Sequence, residues 1–295
     1  MPARRSAAWL RLWLRSSYVR EWCDRHVRGS TLQRTLNLKD LRGLPVPLPP
    51  AGVGAALLRT VETAERKVSV NRRIAECAMS LSDALFAVEA RNRGAWPERS
   101  FGEVTHVRPG QAARPREGAS PPLALPPEEG VPFLAPADVL RKGLPYVSRT
   151  ETRLVSPDEG SVCAPQSLLL ATREDGVHAV MNDVPVVPGR GVLALHAETL
   201  ADTYWLLHEV RSRSRELTSA AQGPGGRELS RNAFASSALR WPTCSVRERF
   251  AQVVVKLHAR ARDAHAENAV LSRLRDGLLE NSLDGVGVSE GGESA

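Results

Sequence analysis

With 295 residues, of which 42% are hydrophobic and 25% charged, the chain can fill one large or two medium cores. No apolar run approaches the roughly 18 residues of a membrane-spanning helix. Cys23, Cys77, Cys163 and Cys244 form no CxxC pair, which argues against a zinc site or disulfide framework and for a reducing cytoplasm. The charge of +7 is concentrated, because residues 1–42 carry ten Lys and Arg against three Asp and Glu and the remainder is neutral overall.

In chain order, residues 7–22 space Trp9, Leu12 and Trp13 as an amphipathic helix does. Up to Arg20 the stretch is Arg-rich and acid-free, a pattern shared by transit peptides and membrane-surface helices. It runs on without a cleavage-like break, which favours a helix packing its Trp and Leu face inward. Residues 29–48 read as a turn, a short helix around Leu38–Leu41 and a strand at Leu44–Leu48. Pro45, Pro47, Pro49 and Pro50 lack the N–H of a central strand, so an edge strand or extended exit is expected. Residues 54–92 read as a long helix with apolar positions at Leu57, Val61, Ala64, Val68, Ile74, Ala78, Leu81, Leu85 and Val88. That is a heptad-like seam, interrupted at Asn71.

Residues 96–245 differ in texture. A loop rich in Pro, Gly, Ala and Arg is expected over 105–136. Short strands are expected at Val131–Leu134, Tyr146–Val147, Ser161–Cys163, Ser167–Ala171, Val177–Val180, Val184–Val187 and Val192–Leu195, with turn signals between them. A helix at Leu200–Arg215 and the turn Gly223–Gly226 complete a compact α+β domain with a mixed sheet and short helices. Residues 246–283 read as a second long helix, with Phe250, Val254, Leu257, Ala261, Ala264, Asn268, Leu271, Leu274 and Leu278 on its seam. A matching Asn on each seam can fix the register of a helix pair; an ordinary hairpin with both Asn on its rim shows the same pattern. The Gly, Ser and Glu of residues 285–295 read as a disordered tail.

One unit occurs twice. Gly29-Ser30-Thr31-Leu32-Gln33 leads into Leu44-Pro45-Val46-Pro47-Leu48 and the first long helix. Gly225-Gly226-Arg227-Glu228-Leu229 leads into Leu239-Arg240-Trp241-Pro242 and the second. The offset of nearly two hundred residues is too long for a solenoid and suits two globular units, each followed by its own helix. With Asn71-Arg72-Arg73-Ile74 and Glu267-Asn268-Ala269-Val270-Leu271, and with Gly130-Val131-Pro132-Phe133-Leu134 and Gly160-Ser161-Val162-Cys163 between them, the chain resembles the specificity subunits of type I restriction–modification systems.

The resemblance implies an α+β target-recognition domain at 95–245. It places two conserved helices, at 51–94 and 246–284, in an antiparallel coiled coil. Residues 1–50 correspond to the end of a first recognition domain whose earlier part is absent, as in a remnant, a dimerising half-subunit or a misplaced start. The implied function is to read a split DNA target and to dock methyltransferase and nuclease subunits. S-adenosylmethionine, ATP and Mg would be used by those partners, and no cofactor by this chain.

Phosphate contacts position a DNA-binding protein and base contacts specify sequence. Candidates for phosphates are Arg108, Arg114, Arg116, Lys142, Arg149, Gly225, Gly226, Arg227 and Arg231, with Ser30, Thr31, Gln33 and Arg34 in the first copy. Candidates for base edges are Gln111, Arg153, Gln166 and Arg173, since Arg and Gln make bidentate contacts in the major groove. Candidates for helix pairing are Leu57, Val61, Asn71, Ile74, Leu81, Leu85, Leu257, Asn268, Leu271, Leu274 and Leu278. No HExxH, GxSxG, Gly-rich cofactor fingerprint or paired metal spacing is present. No catalytic or metal residue is therefore expected, and His178, His196 and His208 read as satisfied or exposed. A coiled-coil adaptor that binds no DNA, and an inactive remnant, are the alternatives.

Overall fold

The computed structural model describes residues 2–27, 35–46, 53–111, 130–140, 143–147, 150, 152–154, 157, 159–173, 176–219 and 229–284. The expected tail, the turn Gly223–Gly226, most of the long loop and the end of the Leu44–Leu48 segment lie outside these residues. Helices α1 (Pro2–Trp13), α2 (Ser17–His26), α3 (Leu38–Leu41) and α4 (Val53–Glu89) come first, then a 3-10 turn at Ala90–Ala95. Next are β1 (Glu98–Ser100), α5 (Phe101–Val104), β2 (His106–Pro109), β3 (Val131–Leu134), α6 (Pro136–Val139), β4 (Tyr146–Val147) and β5 (Arg153–Leu154). After a 3-10 turn at Glu159–Ser161 follow β6 (Leu168–Arg173), β7 (Gly176–Asn182), β8 (Val187–Pro188), β9 (Val192–His196), α7 (Leu200–Ser212), α8 (Ser214–Ser219), α9 (Arg231–Ser236), β10 (Ala238–Arg240) and α10 (Cys244–Asp284). No helix among the described residues is long and apolar enough to cross a membrane.

Two compact units result, Met1–Ile74 with Asp263–Ala295, and Ala75–Arg262. In the first, the single helix expected over 7–22 is two helices. Ser16 breaks it, accepting the Val19 N–H at 3.3 Å as the N-cap of α2. Trp9, Leu12, Trp13 and Val19 pack with Leu57 and Val61 of α4, and Leu278 of α10 borders the same cluster. The Trp13 indole donates to the Pro45 carbonyl at 3.0 Å, and the expected strand at Leu44–Leu48 is, in its described part, irregular backbone with no ladder. Further along, the buried Asn71 amide donates to Glu267 at 2.7 Å and Lys67 pairs with the same carboxylate at 3.2 Å. Residue numbers rise along α4 as they fall along α10, so the two helices are antiparallel.

The second unit holds a five-stranded sheet in the order β2-β9-β6-β7-β4, antiparallel except for β4 beside β7. A three-stranded sheet, β5-β3-β8, and the pair β1-β10 complete the strands. Successive strand residues point to opposite faces, which sorts the apolar runs into two cores. Leu168, Leu170, Val177, Ala179, Leu193 and Leu195 pack against α7, with Phe86 of α4 and Phe250 and Val254 of α10. Leu169, Ala171, Val180, Val192 and Ala194 face Leu134, Val139, Cys163 and Val186. Burial on both faces explains why β6 and β9 read as continuous apolar runs. Here too α4 and α10 run antiparallel, with Phe86 against Phe250 at 5.8 Å and Glu89 against Arg249 at 2.9 Å.

The expected strands at Val131–Leu134 and Tyr146–Val147 are present, whereas Ser161–Cys163 is a 3-10 turn followed by Cys163 bridging Val186. The helix expected over Leu200–Arg215 breaks at Arg213, whose side chain is drawn to Glu209, Glu216 and the Ala238 carbonyl. Trp205 of α7 is fully buried, with Phe86, Phe250 and Trp96 rings at 4.9, 5.3 and 5.4 Å. Trp205→Ala should cost about 3–5 kcal/mol in chemical denaturation. Trp205→Phe should cost less, because the indole N–H has no partner among the described residues and its removal leaves nothing unpaired.

Candidate nucleic-acid interface

Strand β2 gathers the candidate contacts. His106 lies opposite His196 of β9 and Arg108 opposite Ala194, which puts Arg108 and His196 on one face. The Arg108 guanidinium donates to the Gly160 carbonyl at 2.8 Å and to His196 Nε2 at 2.5 Å, with the Cys163 sulfur 3.8 Å from the same nitrogen. Burial, and then the charge of Arg108, push the His196 pKa down, so the ring is neutral and accepts. Burial pushes the Cys163 thiol up against the pull of Arg108. A thiol held protonated is no nucleophile; the cluster aims the guanidinium.

Arg231, exposed at the start of α9, donates through Nε to the Val107 carbonyl at 2.8 Å, so two guanidiniums flank one strand. Gln111, exposed just past β2, bridges Gly189 and donates its backbone N–H to the Pro188 carbonyl at 2.9 Å. That approach requires glycine at 110, where an added Cβ would sit 2.0 Å from the Gly189 carbonyl oxygen. Gln166 is exposed on the turn entering β6, which pairs with β9. Arg173 stands at the other end of β6, opposite Gly176. Arg153 is on the smaller sheet, donating to the Gly130 carbonyl at 2.7 Å. Arg114, Arg116, Lys142, Arg149, Gly225, Gly226, Arg227, Ser30, Thr31, Gln33 and Arg34 lie outside the described residues. Sequence reasoning missed His106 and the role of His196, since the only signal is cross-strand register.

The expected pairing residues divide. In the first unit Leu57, Val61 and Asn71 are buried, Ile74, Asn268, Leu271 and Leu278 half-buried, and Leu274 is 50% exposed. In the second, Leu85 and Leu257 are half-buried and Leu81 is 49% exposed. The inward face of α4 there is Ala75, Ala78, Met79, Ser82 and Phe86. Cys77, Leu81, Ala84 and Val88, spaced four, three and four apart, form a second stripe that faces solvent.

A cavity of about 800 Å³ opens beside Arg91, Arg93, Arg211 and Arg213. Three of these are neutralised: Arg211 by Asp83 at 2.7 Å, and Arg93 and Arg213 by the buried Glu209 at 2.9 and 3.2 Å. The basic face lies at β2 instead.

Beneath the cavity runs a directed hydrogen-bond chain. His208 Nδ1 donates to Asp83 at 2.7 Å, which leaves its Nε2 to accept from His258 Nε2 at 3.0 Å; His258 Nδ1 then accepts from the Tyr146 hydroxyl. Both rings must be neutral. Burial, then the neighbouring His208 and Arg211, push His258 down to about 3. Burial also lowers His208 against the pull of Asp83. Burial would raise Asp83, but hydrogen bonds from His208 and Arg211 outweigh it and hold the carboxyl well below its usual range. In the unfolded chain the histidines bind protons near their ordinary 6.5. Their contribution to stability is therefore full above that pH and is lost as pH falls toward 3. Urea midpoints should drop as pH falls from about 6.5 to 4.5, and His258→Phe should flatten that slope; an equal slope in the variant would show that the chain does not carry it.

The geometry is that of an α+β unit crossed by two antiparallel helices, with Arg108, Gln111 and Arg231 gathered around β2. No protein-family profile matches the sequence, and no curated protein matches it significantly. The fold is that of type I restriction–modification specificity subunits. The S subunit from M. genitalium aligns over 87% of this chain and 67% of its own, at 15% identity and a TM-score of 0.51. The HsdS subunit from Thermoanaerobacter tengcongensis aligns over 95% and 70%, at 20% identity and a TM-score of 0.44. A chain from a structure addressing complex assembly and conformational transition of the type I R-M system aligns over 93% and 70%, at 19% identity and a TM-score of 0.44.

Proposed function

We propose that this chain is a DNA sequence-specificity subunit that performs no chemistry and directs partner subunits to their target in the cytoplasm. The observation that carries the reading is the gathering of Arg108, Gln111 and Arg231 around β2, on a fold shared with specificity subunits. Fixed guanidiniums suit phosphates, and exposed amides suit base edges. In this reading the Ala75–Arg262 unit reads one part of a split target. Methyltransferase and nuclease subunits supply S-adenosylmethionine, ATP and Mg chemistry. The outward stripe of Cys77, Leu81, Ala84 and Val88 supports a docking role, because a helix face that is apolar yet exposed suits a partner helix.

Duplex DNA binding by the full chain should weaken steeply with salt. Arg231→Ala should weaken all duplexes alike and reduce the slope of log K against log salt by about 1. Binding that ignores salt would sink the reading in favour of a protein adaptor. Leu81→Asp should abolish capture of the methyltransferase partner while leaving the thermal midpoint nearly unchanged, since the side chain is 49% exposed.

A further inference from the structure

Ala164-Pro165-Gln166-Ser167 is a β-turn in which the Ser167 N–H donates to the Ala164 carbonyl at 3.3 Å. Pro165 pre-sets the second position, and Gln166 at the third has φ 68. That combination is a type II turn, whose third position glycine or asparagine ordinarily fills because a Cβ is crowded there. Every other described residue with positive φ is a glycine.

The strain is held in place from several sides. Asn182, fully buried at the end of β7, points its amide nitrogen at the carbonyls of Ala164, Val184 and Cys163, at 2.8, 2.9 and 3.3 Å. Its backbone carbonyl accepts the Gln166 N–H at 2.7 Å. The Ser167 hydroxyl donates to the Ala164 carbonyl at 2.8 Å, and Cys163 exchanges both backbone hydrogen bonds with Val186 at 2.8 and 3.1 Å. On this rigid support the Gln166 side chain is exposed, and its amide makes no hydrogen bond among the described residues. Nothing in the turn uses the side chain, and glycine would form the same turn unstrained. Strain kept at an exposed polar residue points to a use for that residue.

The site lies at the sheet end where Arg108 reaches His196, since β6 begins two residues after Gln166 with Leu168 opposite Leu195. A primary amide offers one acceptor beside two donors, the pattern that pairs with N6 and N7 of adenine in the major groove. We infer that Gln166 is a specificity-determining residue that reads an adenine, held in aim by Asn182. The inference rests on the DNA-reading proposal.

Selection of a random duplex DNA library on the full chain, on Gln166→Ala and on Gln166→Gly tests it, with thermal midpoints measured in parallel. Wild type should enrich one motif. Both variants should lose preference for adenine at a single position by about tenfold or more, with the salt slope unchanged. Gln166→Gly should also melt higher, because it relieves the positive-φ strain. If Gln166→Ala enriches the wild-type motif, or Gln166→Gly melts lower, the inference falls and the DNA reading stands. If wild type enriches nothing and binds without salt dependence, both fall.

Discussion

Helix α7 is buried on every side, and the second unit is organised around that constraint. Asp202 through Val210 is one unbroken run of buried residues that includes Asp202, Thr203, Tyr204, His208 and Glu209. A buried charge or hydroxyl without a partner is costly, so each must be met by a particular neighbour. Arg247 of α10 answers Asp202, Arg93 and Arg213 answer Glu209, and Asp83 of α4 with His258 of α10 answers His208. Apolar packing alone would let α7 slide or rotate at modest cost; these directed bonds select one arrangement of α4, α7, α10 and the sheet.

That rigidity suits the proposed reading of DNA. A reading surface works when its donors are placed before the ligand arrives, since side chains ordered on binding take their entropy from affinity. Arg108 is fixed at both ends of its fork by Gly160 and His196, and the Gln166 turn by Asn182. His196 is half-buried and Asn182 fully buried, with the Asn182 amide nitrogen held by the carbonyls of Cys163, Ala164 and Val184. The sheet is the ruler, and the exposed groups at its end are what it positions.

The charge distribution supports the same division of labour. Arg93, Arg211 and Arg213 at the cavity beside α7 are matched by Asp83, Glu209 and Glu216 and act as structural counter-ions. Those at β2 are engaged by backbone carbonyls, which orient a guanidinium without cancelling its charge. Two sets of arginines of like composition therefore have different electrostatic meaning, decided by what sits opposite.

Sequence alone determined the long helices, the short helix at Leu38–Leu41 and most strands of the five-stranded sheet, because apolar spacing and turn residues act locally. It could not assign β1, β2 and β10, where β2 offers only Val107 as an apolar signal and exists because β9 pairs with it. Nor could it tell which of two apolar stripes on α4 turns inward. Leu81 and Val88 keep the heptad spacing yet stay exposed, while Phe86 is buried by packing against Phe250 and α7. Gln111 and Gln166 were legible as amides suited to a base, but not that the register sets them toward opposite ends of the β2-β9-β6 ladder, and the positive φ of Gln166 has no local signature beyond Pro165 before it. Local propensity is written residue by residue; register, burial and strain arise from pairings across scores of residues, and those were settled by tertiary structure.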